Sequence, residues 1–201
     1  LLIQLLRMSV ISAVEPIAGR IKTFIYRQIL TVLLLLCSSI MLYGQSADKL
    51  GKFIPRGYTI LDSISGDLNN DKRPDLILIL QYDGSSDRPF LLLIRDQQQH
   101  LQLAARNNFL IFPADLGGTV GDPYVKTTID GSCFTVEHFY GSHDSVHQWL
   151  TFCYQPAIQD WVLQQEVTTT AAANNPDAAK TVVKKGKQLG YTTIKTYQGG
   201  E

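Results

Sequence analysis

Cys133-Phe-Thr-Val-Glu-His-Phe-Tyr140, Gly141-Ser-His-Asp-Ser145 and Val146-His-Gln-Trp-Leu-Thr-Phe-Cys-Tyr154 read as two β-strands joined by a polar turn. Centring the turn on His143 sets Phe134 opposite Phe152 and Val136 opposite Leu150, with Thr135 facing Thr151 and Glu137 facing Trp149. Apolar residues then share one face, the condition that fixes register in a half-buried sheet. The same register puts Cys133 opposite Cys153. Directly opposed Cβ atoms lie about 4.5–5.5 Å apart, within a small backbone adjustment of a disulfide. A cross-strand Cys133–Cys153 disulfide is expected.

Working outward, short runs of β-branched, aliphatic and aromatic residues recur, punctuated by Gly, Pro, Asn and Asp. That pattern indicates strands rather than helices. Residues 58–64, 76–82, 89–95 and 101–106 form a first series, with 109–112 extending its edge. The runs at 76–82 and 89–95 are apolar throughout, as in strands buried on both faces. Residues 124–129, 133–140, 146–154 and 161–167 form a second series, and Asp130-Gly131 between its first two runs predicts a type I′ turn. The fold class is mainly β, with two antiparallel four-stranded meanders forming a sandwich or one curled sheet. Residues 168–187, rich in Thr, Ala, Asn and Lys, read as a poorly ordered polar tail. Residues 191–197 read as a returning edge strand.

The N-terminal part is of a different kind. Residues 29–43 are almost wholly apolar, Lys22 and Arg27 precede them, and Gly44-Gln45-Ser46-Ala47 follows. This three-part pattern is that of a secretory signal peptide, read as a signal helix and expected to be cleaved after Gly44 or Ala47. The run is short for a bilayer span of about 20 residues; an uncleaved anchor is the alternative. Leu36 before Cys37 argues against lipidation. Residues 1–20, opening on Leu, suggest a start placed too far upstream. The division is thus 1–45 extension and signal segment, 46–167 β-rich domain, and 168–201 tail. The chain of 201 residues is neutral overall. The part after residue 45 holds 14 basic and 17 acidic residues, net −3. No basic patch of a nucleic-acid binder is present. The membrane is implicated only through the signal segment, and the mature domain is expected outside the cytoplasm: periplasmic, in the cell envelope or secreted.

One stretch carries chemistry. In Asp67-Leu-Asn69-Asn-Asp71-Lys72-Arg73-Pro-Asp75, oxygen-bearing side chains recur at every second position and again four residues on. Ca²⁺ takes six to eight oxygens at about 2.3–2.6 Å. Asp67, Asn69, Asp71, Asp75 and the carbonyl of Arg73 supply most of such a set, and the expected cofactor is Ca²⁺. Lys72 stands where such loops place Gly for a sharp turn, which weakens the site. The competing reading is an Asx-rich turn whose side chains cap their own backbone.

Gly66 through Leu76, entering an apolar strand, resembles the FG-GAP and VCBS-type calcium loops of integrin α-subunit propellers and of many exported bacterial proteins. The lead-in Phe53-Ile-Pro-Arg-Gly-Tyr-Thr-Ile-Leu-Asp62 is similar to that of a group of uncharacterised exported bacterial proteins with one such loop. The resemblance implies Asp67, Asn69, Asp71 and Asp75 as ligands. With one copy of the loop it does not imply a propeller, which typically needs four to eight blades.

Other clusters say less. Glu137, His138, His143, Asp144 and His147 suggest zinc, but the register sends His138 and His147 to opposite faces, whereas tetrahedral zinc needs convergent ligands. The Gly-rich segment 115–123 lacks the Lys-Ser/Thr of a phosphate loop and reads as a tight connector, with Asp115 and Asp122 as remote candidates for extra acidic ligands. Trp149 and Trp161 read as packing residues. No catalytic set stands out, and triads are recognised by geometry. The sequence therefore points to a calcium-loop binding or envelope-associated module that is not an enzyme, with a protein or glycan as partner. The alternative is a small extracytoplasmic hydrolase using acidic residues near the Asp loop.

Overall fold

The structure is a computed structural model that describes residues 27–29, 31 and 50–199. The chain divides into two units, Leu1–Gly51 and Lys52–Glu201. Residues 27–29 and 31 of the first unit are helical. Otherwise the expected signal segment, Cys37 and the cleavage sites lie outside the described residues. Among the described residues no helix is long and apolar enough to cross a membrane.

The second unit is mainly β. Strands β1 (Thr59–Gly66), β2 (Asp75–Gln81), β3 (Phe90–Arg95) and β4 (Leu101–Asn107) form a four-stranded antiparallel sheet in sequence order. Strands β5 (Tyr124–Asp130), β6 (Cys133–Gly141), β7 (Asp144–Gln155), β8 (Asp160–Ala172) and β9 (Asn175–Lys185) form a five-stranded one. Side chains of consecutive strand residues point to opposite faces. That alternation explains why Ile77, Ile79, Phe90 and Leu92 of the first sheet join one core with Phe134, Val136, Leu150, Phe152 and Leu163 of the second. Phe90 stacks on Phe134 at 5.1 Å and Phe134 on Phe152 at 5.3 Å. Leu78, Leu80, Leu91 and Leu93 are buried on the opposite face, as the continuous apolar runs require.

The β6–β7 register is the expected one throughout, from Cys133↔Cys153 to Gly141↔Ser145. Cys133 and Cys153 form the disulfide. The β5–β6 turn differs from expectation. Its central residues are Gly131 and Ser132, and only Gly131 takes positive φ, at 54°. A type I′ turn needs positive φ at both central positions, so that assignment is corrected.

Two further corrections concern the tail. Residues 168–172 and 175–185 are strand: β8 continues to Ala172 and β9 pairs along it from Thr170↔Lys180 to Gln165↔Lys185. The second sheet therefore has five strands, not four. Its last strand is exposed, Val182 by 53% and Val183 by 47%, so no apolar alternation marks it in the sequence. Residues 191–197 are not an edge strand. They touch the sheet through one isolated bridge, Val162↔Thr193, and bury Ile194 and Tyr197 in the core. Residues 109–112 likewise extend no strand; Leu110 and Ile111 turn into the core.

Asn107, almost fully buried, joins these last two segments. Its Nδ2 donates to the carbonyls of Ile194 and Tyr197, each at 2.7 Å. Its Oδ1 accepts the N–H groups of Phe109 and Leu110 at 2.7 and 2.8 Å. Removing a buried partner leaves polar groups unsatisfied at about 1–3 kcal/mol each. Asn107→Ala is therefore expected to destabilise the domain by about 3 kcal/mol, read by denaturant or thermal melting. A loss below about 1 kcal/mol would show that the C-terminal segment is held by its apolar side chains alone.

Candidate functional site

The Asp loop connects β1 to β2, and the pair Gly66↔Asp75 closes it. Gly66 is required here for space: a Cβ at this position would lie 2.7 Å from Cγ2 of Ile129 on β5. The loop curls tightly, with Asn70 at φ 62° and Lys72 at φ 66°. Left-handed backbone costs a residue with a Cβ on the order of 1–2 kcal/mol. The sequence position of Lys72, where Gly is usual, thus coincides with a conformation that favours Gly.

The acidic side chains hold that curl. Asp67 accepts the N–H of Asp71 through Oδ1 at 3.0 Å and that of Lys72 through Oδ2 at 2.8 Å. Asn69 Oδ1 accepts the Asp71 N–H at 3.2 Å, and Asn69 Nδ2 donates to Asp71 Oδ2 at 2.7 Å. Asp71 Oδ1 accepts the Arg73 N–H at 2.9 Å, and its Oδ2 pairs with the Arg73 guanidinium. The guanidinium Nε also donates to the carbonyl of Arg95 at 2.9 Å. Asp67, Asn69 and Asp71 are thus drawn together about the loop backbone, with one cationic side chain on Asp71.

Asp75 is set apart by being fully buried. Its Oδ2 accepts the N–H of Leu68 at 2.9 Å and its Oδ1 accepts the N–H of Arg95 at 2.8 Å. Its own carbonyl accepts Ser65 Oγ at 2.9 Å. Burial pushes its carboxyl pKa up. The two backbone donors pull against that, and the nearby charges of Asp71 and Asp67 add to the rise. Leu68 extends the chain of contacts: its side chain is in the core, and its carbonyl accepts the Trp161 indole N–H from β8 at 2.9 Å. The loop is therefore fastened to both sheets. The Trp161 and Arg95 contacts are not legible in the sequence, since they depend on strands 20 to 93 residues away.

Among the described residues, no group of three or more His, Cys, Asp or Glu side chains is disposed to hold a metal ion. The donor chemistry nevertheless suits a hard cation. A carboxylate offers about four lone-pair sites; Asp67 and Asp75 each use two on backbone amides. Asp71 uses three, one on Asn69 Nδ2 and two on Arg73.

The hairpin cluster divides as the register requires. His138 is buried on the inner face. His147 lies on the outer face, its Nε2 2.6 Å from Glu137 Oε1 and its ring 3.8 Å from that of Trp149. The His143 ring bonds its neighbour Asp144, at 2.9 Å, on the exposed turn. Trp161 packs in the core, as expected. Asp122 sits in a bidentate pair with Arg88, at 2.6 Å through each oxygen. The chain matches no protein-family model, no curated protein and no solved structure.

Asp75→Asn keeps shape but presents an amide nitrogen to one of two backbone N–H donors. Setting donor against donor in a dry site is expected to cost about 2–4 kcal/mol. Trp161→Phe orphans the buried Leu68 carbonyl and leaves part of the indole's space empty, and is expected to cost about 2–4 kcal/mol. Denaturant unfolding of the two variants checks both losses, and a loss below about 1 kcal/mol in either would contradict the fastening it removes.

Proposed function

We propose that this chain is an extracytoplasmic, non-enzymatic β-domain in which loop 67–75 takes Ca²⁺ as a structural ion. Asp67, Asn69, Asp71, Asp75 and the carbonyl of Arg73 form the ligand set. The bound domain presents a sheet face or loop cluster to a protein or glycan partner.

The observation that carries this reading is the attachment of the loop. Three carboxylates and an amide lie within nine residues, on a curl whose ends are fixed to the core by Asp75 and by the Leu68 carbonyl under Trp161. An ion that binds the folded loop and not the unfolded chain stabilises the whole domain by mass action. Like charges gathered in one loop repel, and a divalent cation relieves that repulsion. Binding is weak because Lys72 and Arg73 bring positive charge to the loop and because Arg73 already pairs with Asp71. Weak sites suit extracellular modules, which work at about 10⁻⁴–10⁻³ M. The Cys133–Cys153 disulfide supports an oxidising compartment, where such bonds form and persist.

The test is a calcium titration of the purified protein after treatment with chelator. Millimolar Ca²⁺ is expected to raise the melting temperature by several degrees, Mg²⁺ by less. Lys72→Gly is expected to tighten binding by about tenfold, since it removes both a charge and a strained conformation. Asp71→Asn is expected to weaken binding by a similar factor. A melting temperature indifferent to both Ca²⁺ and chelator would refute the proposal.

A further inference from the structure

His138 is fully buried on β6, and among the described residues neither of its ring nitrogens has a hydrogen-bond partner. Its ring stacks on Phe112 at 4.3 Å and 14°, with the Tyr124 ring edge-on at 6.4 Å. Phe112 begins the connector between the two sheets, and its carbonyl accepts Arg88 Nη1 at 3.3 Å. Arg88, itself almost fully buried, holds Asp122 at the far end of the same connector through both oxygens. The Asp122 carboxyl is kept below the usual range by that guanidinium. The connector's middle is tied to the end of β6, Thr119 N–H donating to the Gly141 carbonyl at 3.2 Å, and Phe139 N–H donates to the Pro123 carbonyl at 2.8 Å. The connector is thus clamped at both ends by Arg88 and stacked on a neutral imidazole.

We propose that this arrangement is an acid-operated latch: protonation of His138 releases the connector 112–123 from β6 and from Arg88, while the two sheets stay folded. An imidazolium has two N–H donors and needs an acceptor for each. The groups around the ring offer few. From the connector comes Asp122, already filled by Arg88. From the segment before β3 comes the Arg88 cation, which repels the new charge. From β5 comes Tyr124, whose hydroxyl is engaged with Asp62 at 2.6 Å and Thr127 at 3.0 Å. From β6 itself comes Tyr140, edge-on to Phe112 at 5.4 Å. From β7 comes Gln148, opposite His138 in register, its Nε2 3.4 Å from Glu166 of β8 and its Oε1 without a partner among the described residues. Gln148 Oε1 can take one imidazolium N–H; the second finds relief when Asp122 leaves Arg88 or the ring reaches water, and each undoes the clamp. A cleft of about 410 Å³ between Arg88, the turn at Tyr82–Ser86 and the start of the connector at Ala114 and Asp115 gives the segment room to move.

The His138 pKa is lowered from 6.5 to about 4, chiefly by burial; the Asp122 charge opposes this and the Arg88 charge adds to it. A folded-state value below the unfolded one means that the stabilising effect is complete above 6.5 and is lost as pH falls from there toward 4. The same linkage applies to local opening, since the open segment leaves the imidazole in water.

The experiment is amide hydrogen exchange on the full chain at pH 7.0 and pH 4.5, corrected for intrinsic rates. Protection at the Thr119 and Phe139 amides is expected to fall by at least about tenfold, while that at Ile79 and Leu92 in β2 and β3 changes less than about twofold. His138→Phe keeps the stack and cannot titrate, so it should abolish the difference. Should that variant fail to fold, the imidazole proton shifts of the wild-type protein decide. One of its four histidines must titrate well below the others, with a midpoint matching the loss of connector protection. Four histidines titrating near 6.5, or protection lost uniformly across both sheets, would overturn the latch.

Discussion

A buried carboxylate at the first residue of β2 sets the terms for the candidate site. Asp75 has no access to water, so its charge is tolerable only while the Leu68 and Arg95 amides point at it. Leu68 cannot keep that amide in place unless the loop stays curled, and the curl is maintained by Asp67, Asn69 and Asp71 bonding backbone that includes two non-glycine residues at positive φ. Arg95 cannot keep its amide in place unless β3 ends where it does. The same Leu68 inserts its side chain into the core and offers its carbonyl to Trp161. Loop shape, strand ends and inter-sheet packing are therefore mutually dependent. On the proposal above, this dependence would carry the effect of an ion bound at the loop to the whole domain.

The rest of the domain is arranged to keep the sheets in one relation. Phe90, Phe134 and Phe152 stack in sequence from the first sheet into the second, and Tyr197 closes the row edge-on at 5.7 Å from Phe152. Asn107 fixes the segment that carries Tyr197. The disulfide pins the β6–β7 register on the outward face, opposite the aromatic row. Most polar groups brought inside by this packing are satisfied, as buried groups generally are. The His138 ring nitrogens and the facing Gln148 Oε1 depart from that rule, and His138 sits where the connector between the sheets meets β6.

The sequence made the central strands legible because each has to bury at least one face. Alternation along residues 133–154 gave the β6–β7 register residue by residue, and the disulfide followed from it. The continuous apolar runs of β2 and β3 marked strands buried on both faces. What stayed hidden was structure not selected by burial. The strand β9 is solvated on both sides, and its Thr, Val and Lys residues carry no period-two signal; only its pairing with β8 makes it a strand. Residues 191–197 do contain apolar side chains, but these serve single anchoring contacts, Ile194 and Tyr197, in an irregular segment. At the candidate site, the donor spacing and the awkward position of Lys72 were readable, because both are local. The capture of Asp71 by Arg73, the burial of Asp75 and the Trp161 bond were not, because each is fixed by tertiary packing.

The loop is bolted to the core through Asp75 and Leu68. Native-state hydrogen exchange at the Leu68 amide measures that bond directly, with and without Ca²⁺. If the account is right, this amide exchanges as slowly as those of central β2, by global unfolding only, and slows further when the ion is added. Exchange at the rate of an exposed loop, unchanged by Ca²⁺, would contradict it.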